Sequence, residues 1–369
     1  MFSALPQSFF SYFCYSICGL GIFFNAILLF LSTHKSIETI RELRYFLSNI
    51  AASGLLFSAC IGALQPQFVT RATMTIRVIH GPAQHLSDPT IQLMAASTIA
   101  IYLYAVLSFP LFFVYRSIIL SNNAMFSQLF TKRNLLITFV ITFLFCCAEG
   151  GVFYKACIDY DTLFDRLNRT TDIIEQFENN TIFLNQQIRN MDHGNGVITL
   201  GTTQSPLNNT HANNDSPEET FLKQHRLALI GDDYRKNQLI IVFHAIFVSA
   251  HVFSYVIVLL SAHIMLNILK RKQGSMSNDT FLENELLVHA VFAEAFVPLL
   301  LSAPVAANSV LVTVFENSLK WQEFLSMYFI GLVPVISPLC SMLFIGPYRR
   351  AIVGIFQKNK SNNKSDNNE

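Results

Sequence analysis

Charge is what this sequence most conspicuously lacks. Only 13% of its 369 residues are Asp, Glu, Lys or Arg, against about 25% in an ordinary soluble domain. With 52% apolar residues and 34 phenylalanines, the shortage excludes a soluble domain and places the chain in a membrane. Basic clusters with interleaved aromatics are missing, so nothing points to nucleic acid. Cysteine is sparse as well: of Cys14, Cys18, Cys60, Cys146, Cys147, Cys157 and Cys340, only Cys157 falls clearly in a loop. A disulfide framework is therefore not expected; a Cys157 to Cys14 bridge is geometrically conceivable beside the plainer free thiol. Metal-ligand spacing is absent too. His244 and His251 stand seven residues apart, about 10 Å along a helix, too far to share an ion as an i, i+4 pair could. Neither a metal hydrolase, another enzyme nor a cofactor is expected.

What the chain does have is seven apolar runs, each near the about 20 residues a helix needs to cross a bilayer. They lie at Phe9 to Ser32, Tyr45 to Val69, Leu93 to Tyr115, Leu135 to Tyr154, Leu239 to Leu269, Leu286 to Val314 and Phe324 to Ile345. Their length and lack of period-two alternation predict helices rather than barrel strands. No Lys or Arg precedes the first run and no small-residue cleavage site closes it, so a retained helix is expected rather than a signal peptide.

Fourteen of the 25 basic residues fall in segments that are inside if the N-terminus is outside, and only Arg71, Arg77 and Lys320 fall in the short outside loops. The other eight sit in the segment 155–236, too long to count in setting orientation. The N-terminus is therefore expected outside and the C-terminus inside. Four glycosylation acceptors in that long segment, Asn168, Asn179, Asn208 and Asn214, fit the same orientation, although Pro217 weakens the last. Apolar residues recur at Phe164, Leu167, Ile174 and Phe177 with helical spacing, whereas 190–219 is rich in Asn, Thr, Ser, Gly and Asp and is expected to be disordered. Arg116, after the long apolar run of the third span, then sits at the cytoplasmic end, where its head reaches water or a partner.

The last span carries Pro334 and Pro338 followed by a Gly346-Pro347 stop. Beyond it Tyr348, Ile352, Ile355 and Phe356 share one helical face, with Arg349, Arg350 and Lys358 away from it, the pattern of a short helix on the inner membrane surface. The tail KNKSNNKSDNNE is low-complexity.

Seven spans, a basic inner face, a short third inside loop (KRKQGSMSNDTFLEN) and an arginine ending the third span resemble a G-protein-coupled receptor. P-x-x-x-P followed by I-G-P-Y-R-R, with F-F-V-Y-R at the end of the third span, looks like the nematode serpentine chemoreceptors of the Str superfamily. LQPQFVTRATMTIRVIHGP, Leu64 to Pro82, is most similar to the Srd class. The chain departs from that pattern at Ala83, where a cysteine is expected, and in the length of the loop after helix four. It does not look like the rhodopsin class: no acidic residue precedes Arg116, helix six lacks C-W-x-P, helix seven lacks N-P-x-x-Y, and helix two has Asn49 and Ser53 but no aspartate.

The resemblance implies an all-α membrane protein, a GPCR-like seven-transmembrane helix bundle. It would span residues 1–346, including the long extracellular loop 155–236, with a cytoplasmic amphipathic helix and tail at 347–369. It further implies a chemosensory receptor in the plasma membrane, in sensory neuron cilia, with membrane lipid, a small apolar odorant or pheromone-like ligand and a heterotrimeric G protein as partners. Expected coupling residues are Tyr115, Arg116, Lys270, Arg271, Lys272, Arg349 and Arg350, and the helix-seven motif is Pro334, Pro338, Gly346, Pro347 and Tyr348. Depth along the helices places Tyr102, Glu149, His244, His251, Asn308 and Tyr328 in an outer pocket, ionisable residues inside a membrane being functional candidates. His263, His289 and Glu294 lie deeper and are expected to bond between helices. The competing class is a seven-helix ligand-gated channel or transporter, for which no inverted repeat or matched half-helix break appears.

Overall fold

The computed structural model describes residues 7–34, 43–71, 74–121, 131–158, 162–163, 228–233, 237–272, 320–344 and 348–351, with ten single positions between 292 and 311. The chain divides into two units, Met1–Cys157 with Ala228–Glu369, and Ile158–Leu227. In the first, α1 (Gln7–His34), α2 (Leu43–Leu64), α3 (Asp88–Ser121), α4 (Lys132–Ala156), α5 (Gln238–Lys272) and α6 (Lys320–Phe344) form the bundle, and strands β1 (Pro66–Arg71), β2 (Met74–Ile79) and β3 (Ala228–Asp233) form one sheet. The second unit contributes only residues 158, 162 and 163 to the description. The apolar stripe Phe164, Leu167, Ile174 and Phe177, the stretch 190–219 and all four glycosylation acceptors lie outside the described residues.

Helices α1 to α5 are each long and apolar enough to cross a membrane, and α6 holds a shorter apolar stretch, Tyr328–Leu343. The 34 residues of α3 extend for about 51 Å at 1.5 Å per residue, well beyond a hydrocarbon core of about 30 Å. The sixth predicted span, including Asn308, His289 and Glu294, lies outside the described residues apart from single helical positions. Among those positions, Phe292 and Phe296 stack at 5.7 Å.

Several predicted boundaries shift, and two of the shifts have a specific physical cause. The second span was expected to reach Val69, but its helix ends at Leu64. Pro66 disfavours the α conformation in the residue before it, and Gln65 turns the chain with a φ of 45°, a left-handed value rare outside glycine. The third span was expected to end at Tyr115, but its helix continues to Ser121. Ser117 is buried there and donates to the Ser261 carbonyl of α5 at 3.2 Å, so the extra turn is held against a neighbour.

The sheet was not foreseen. β1 and β2 pair antiparallel from Pro66↔Ile79 to Arg71↔Met74, and β3 joins the other edge of β2 from Met74↔Asp233 to Ile79↔Ala228. β2 and β3 are buried along their whole length. The hairpin is drawn onto the end of α2 by Gly81, whose N–H donates to the Leu64 carbonyl at 3.1 Å. A side chain at Gly81 would collide with the Ala63 carbonyl, so this approach requires glycine.

Lipid tails are as apolar as leucine, so packing and interhelical hydrogen bonds hold the bundle rather than apolar burial. Tyr104 donates to Asn49 Oδ1 at 2.7 Å and Asn49 donates to Ser108 at 3.2 Å, tying α2 to α3. Asn25 Nδ2 donates to the carbonyls of Gly21 at 2.7 Å and Pro334 at 2.6 Å. The second bond has a specific cause. Pro338 has no N–H, so the Pro334 carbonyl four residues earlier loses its helical donor, and Asn25 of α1 replaces it. A Cβ at Gly54 would strike the Asn25 amide, which makes this contact of α2 with α1 dependent on a small residue.

Candidate functional site

Three polar features stand out along the bundle. At the sheet end, Arg77 Nη1 bonds Asp232 Oδ2 at 2.7 Å, with side chains 9% and 0% exposed. Arg77 pairs with Ile230, and Asp232 lies two residues further along β3, so the charges are diagonal neighbours on one face. The guanidinium also lies 4.7 Å from the Phe153 ring centre and 5.6 Å from that of Phe68, within cation–π range. Beside this pair, burial pushes the Cys157 thiol up to about 12. All seven cysteines are free, so the conceivable Cys157 to Cys14 bridge does not form.

Midway along the bundle lies a cavity of about 50 Å³. Asn25 of α1, Gly54 and Phe57 of α2, Tyr102, Val106 and Phe109 of α3, Ser254 and Val258 of α5, and Pro334 and Ser337 of α6 line it, and among the described residues no charged side chain does. Of the residues expected in the pocket, Tyr102 lines this cavity. His251 stands behind it: its Nδ1–H donates to the Phe247 carbonyl at 2.8 Å. In the neutral ring this leaves Nε2 as the acceptor, and the Tyr102 hydroxyl sits 3.2 Å from it, the rings stacking at 5.6 Å.

The other expected pocket residues lie elsewhere. His244, 7% exposed, donates from Nδ1 to the Ile240 carbonyl at 2.7 Å and sits in the field of Asp232 and Arg77. Glu149 is 3% exposed and its Oε1 has no hydrogen-bond partner among the described residues; the neighbouring Gly150 packs on Ala96 and Ala100 of α3. Tyr328 lies against Phe13 at 4.3 Å and Phe10 at 6.2 Å. His263, expected to bond between helices, pairs instead within α5, with Asn267 at 2.8 Å.

The opposite end carries the residues expected to couple. Tyr115 is buried against Phe46 at 4.9 Å. Arg116 is half-buried, and no hydrogen bond or ion pair involves it among the described residues. Lys270, Arg271, Arg349 and Arg350 are exposed, and Lys272 closes α5. Tyr348 is fully buried in the apolar cluster that also holds Phe46, Tyr115 and Met342. Gly346 and Pro347 lie outside the described residues, as does the amphipathic segment beyond Ala351.

Sequence reasoning missed Asn25, Ser254, Ser337 and the Arg77–Asp232 pair. Asn25 had a signal, being the one amide side chain in the first span. The ion pair had none, since its partners are 155 residues apart.

Two family models match this arrangement of apolar helices, and between them they cover most of the chain. Serpentine type 7TM GPCR chemoreceptor Str matches residues 8–180, and Serpentine type 7TM GPCR chemoreceptor Srd matches residues 197–354. The chain belongs to the serpentine seven-transmembrane chemoreceptors. The two matches together fit a receptor of the Str superfamily most like Srd. No curated protein matches it. In this receptor the described helices supply six of the seven spans, and the isolated positions from 292 to 311 fall in the remaining one.

Proposed function

We propose that this receptor binds a small, largely apolar molecule within its helix bundle and signals through a heterotrimeric G protein at the end that carries Arg116. The reading rests on one observation above the others: a serpentine chemoreceptor chain has a cavity between five helices whose described lining carries no charge. Apolar walls with a few polar groups suit an uncharged ligand. A ligand favouring one of two helix arrangements would shift their populations, and α6, which carries Pro334 and Pro338 in its interior, borders both the cavity and the cluster around Tyr348.

The distribution of basic residues supports an orientation with the sheet end outside and the Arg116 end in the cytoplasm, and the receptor role supports a place in the plasma membrane. The partner surface is formed by Arg116, Lys270, Arg271, Lys272, Arg349 and Arg350. Screening a panel of volatiles against expressing cells, with second-messenger readout, tests the receptor role; a response to one compound class is expected. Silence across the panel with receptor at the surface would count against it. Protease-accessible tags at the two ends test the topology, and finding both on one side of the membrane would overturn it.

A further inference from the structure

Serine in a helix ordinarily folds its hydroxyl back onto the carbonyl three or four residues earlier. Ser53, Ser58, Ser108 and Ser117 all do so, at 2.7 to 2.9 Å. Ser254 and Ser337 do not. Both are buried, at 2% and 4% exposure, both hydroxyls lack a hydrogen-bond partner among the described residues, and both residues line the mid-bundle cavity from different helices. A buried hydroxyl left unpaired is costly, and two on one cavity are a standing demand for a polar atom from outside the chain.

The rest of the wall says what that atom is attached to. Ile50, Phe57, Val106, Phe109, Val258 and Val333 present only carbon. The Asn25 Nδ2 donor is already committed to the Gly21 and Pro334 carbonyls. An ion would enter without a counter-charge, at a cost that neutral molecules do not meet. A hydroxyl, by contrast, accepts from one serine while donating to the other whichever way each serine proton points.

We infer that the cavity is a binding site for a short-chain alcohol, its oxygen held by Ser254 and Ser337 and its hydrocarbon packed on Phe57, Val106 and Val258. As the ligand class of a chemoreceptor, this rests on the receptor reading; as a binding site, it does not.

The purified full-length receptor in lipid nanodiscs is unfolded thermally with primary alcohols from propanol to octanol, each compared with the alkane of equal length at equal membrane concentration. Alcohols of a limited range of lengths are expected to raise the unfolding midpoint where the alkanes do not. Ser254→Ala and Ser337→Ala are each expected to weaken the effect about tenfold, the factor that corresponds to about 1.4 kcal/mol, and together to abolish it. If the double variant does not fold, Ser337→Thr, which keeps the hydroxyl, is compared with Ser337→Val, of similar shape without it. The site is overturned if the double variant or Ser337→Val responds like the wild type, which marks an effect on lipid, or if no alcohol shifts the midpoint, which marks a cavity that holds water only. Alcohol binding without a second-messenger response would refute the receptor reading and leave the site standing. Volatile-evoked signalling indifferent to both serines would do the reverse.

Discussion

Two arginines at opposite ends of the bundle show how differently one side chain is used. Arg77 is buried, ion-paired to Asp232 and set over the Phe153 ring. Arg116 is half-buried and has no hydrogen bond or ion pair among the described residues. A buried guanidinium is tolerable only when its charge and donors are met, so Arg77 is committed to the fold. Arg116 keeps its donors free of every described residue. The presence of an arginine at the edge of a span thus says little about its role; its partners decide.

The comparison breaks most sharply at the sheet. Asp232→Ala leaves Arg77 buried without its counter-charge and is expected to cost about 3–5 kcal/mol, measured as loss of folded receptor in thermal unfolding and at the cell surface. Replacing both partners, Arg77→Met with Asp232→Leu, should recover most of that loss, because apolar side chains of similar size remove the desolvation cost along with the attraction. A double variant as unstable as the single one would show that the pair acts by more than mutual compensation.

A smaller effect is expected between the two ends, where Asn25 supplies the donor that Pro338 lacks. Asn25→Ala should cost about 1–2 kcal/mol. Restoring the backbone donor with Pro338→Ala should make the receptor largely indifferent to Asn25→Ala. A full cost of Asn25→Ala in the Pro338→Ala background would assign the asparagine another role.

Acid should loosen the sheet end slightly and leave the other untouched. His80 sits 5.7 Å from the Phe10 ring and 2.8 Å from Gln67 Oε1. Burial lowers it from the ordinary 6.5 to about 4. The unfolded chain therefore takes up a proton below pH 6.5 that the folded chain refuses until about pH 4, and stability falls as pH drops through that window. His80→Gln should flatten this part of the stability profile; an unchanged slope would place the dependence on another group.

The smallest stability effect is expected at Arg116. Arg116→Ala and Arg116→Lys should change the unfolding midpoint little, within about 0.5 kcal/mol, and reach the surface. Both should lose most ligand-evoked signalling, since lysine keeps the charge but not the planar set of donors. Normal signalling by the lysine variant at matched surface expression would reduce Arg116 to a marker of the membrane boundary.

Much of the bundle was legible because crossing a bilayer forces length, apolarity and helical hydrogen bonding onto contiguous sequence. Six of the seven predicted spans meet described helices, with Gln7–His34 for Phe9 to Ser32 and Gln238–Lys272 for Leu239 to Leu269. Pro66 could also have warned that the second helix stops before Val69. The candidate site was less legible. Depth along a helix follows from counting residues, which is why Tyr102 and His251 could be set at one level, but the rotation of each helix about its axis does not. That rotation placed Ser254 and Ser337 on the cavity and left Glu149 on another face.

By itself the sequence determined that the chain is a membrane-embedded helical bundle, and its motifs carried the resemblance to the serpentine receptors, because each property sits in a run of neighbouring residues. Only the tertiary structure decided that ALIGDD forms the third strand of a sheet, that Asp232 neutralises Arg77, and that two serines on different helices share one cavity. Those facts depend on strand register and helix rotation between residues far apart in the chain. Such geometry is fixed by packing, and leaves no local pattern in the order of the amino acids.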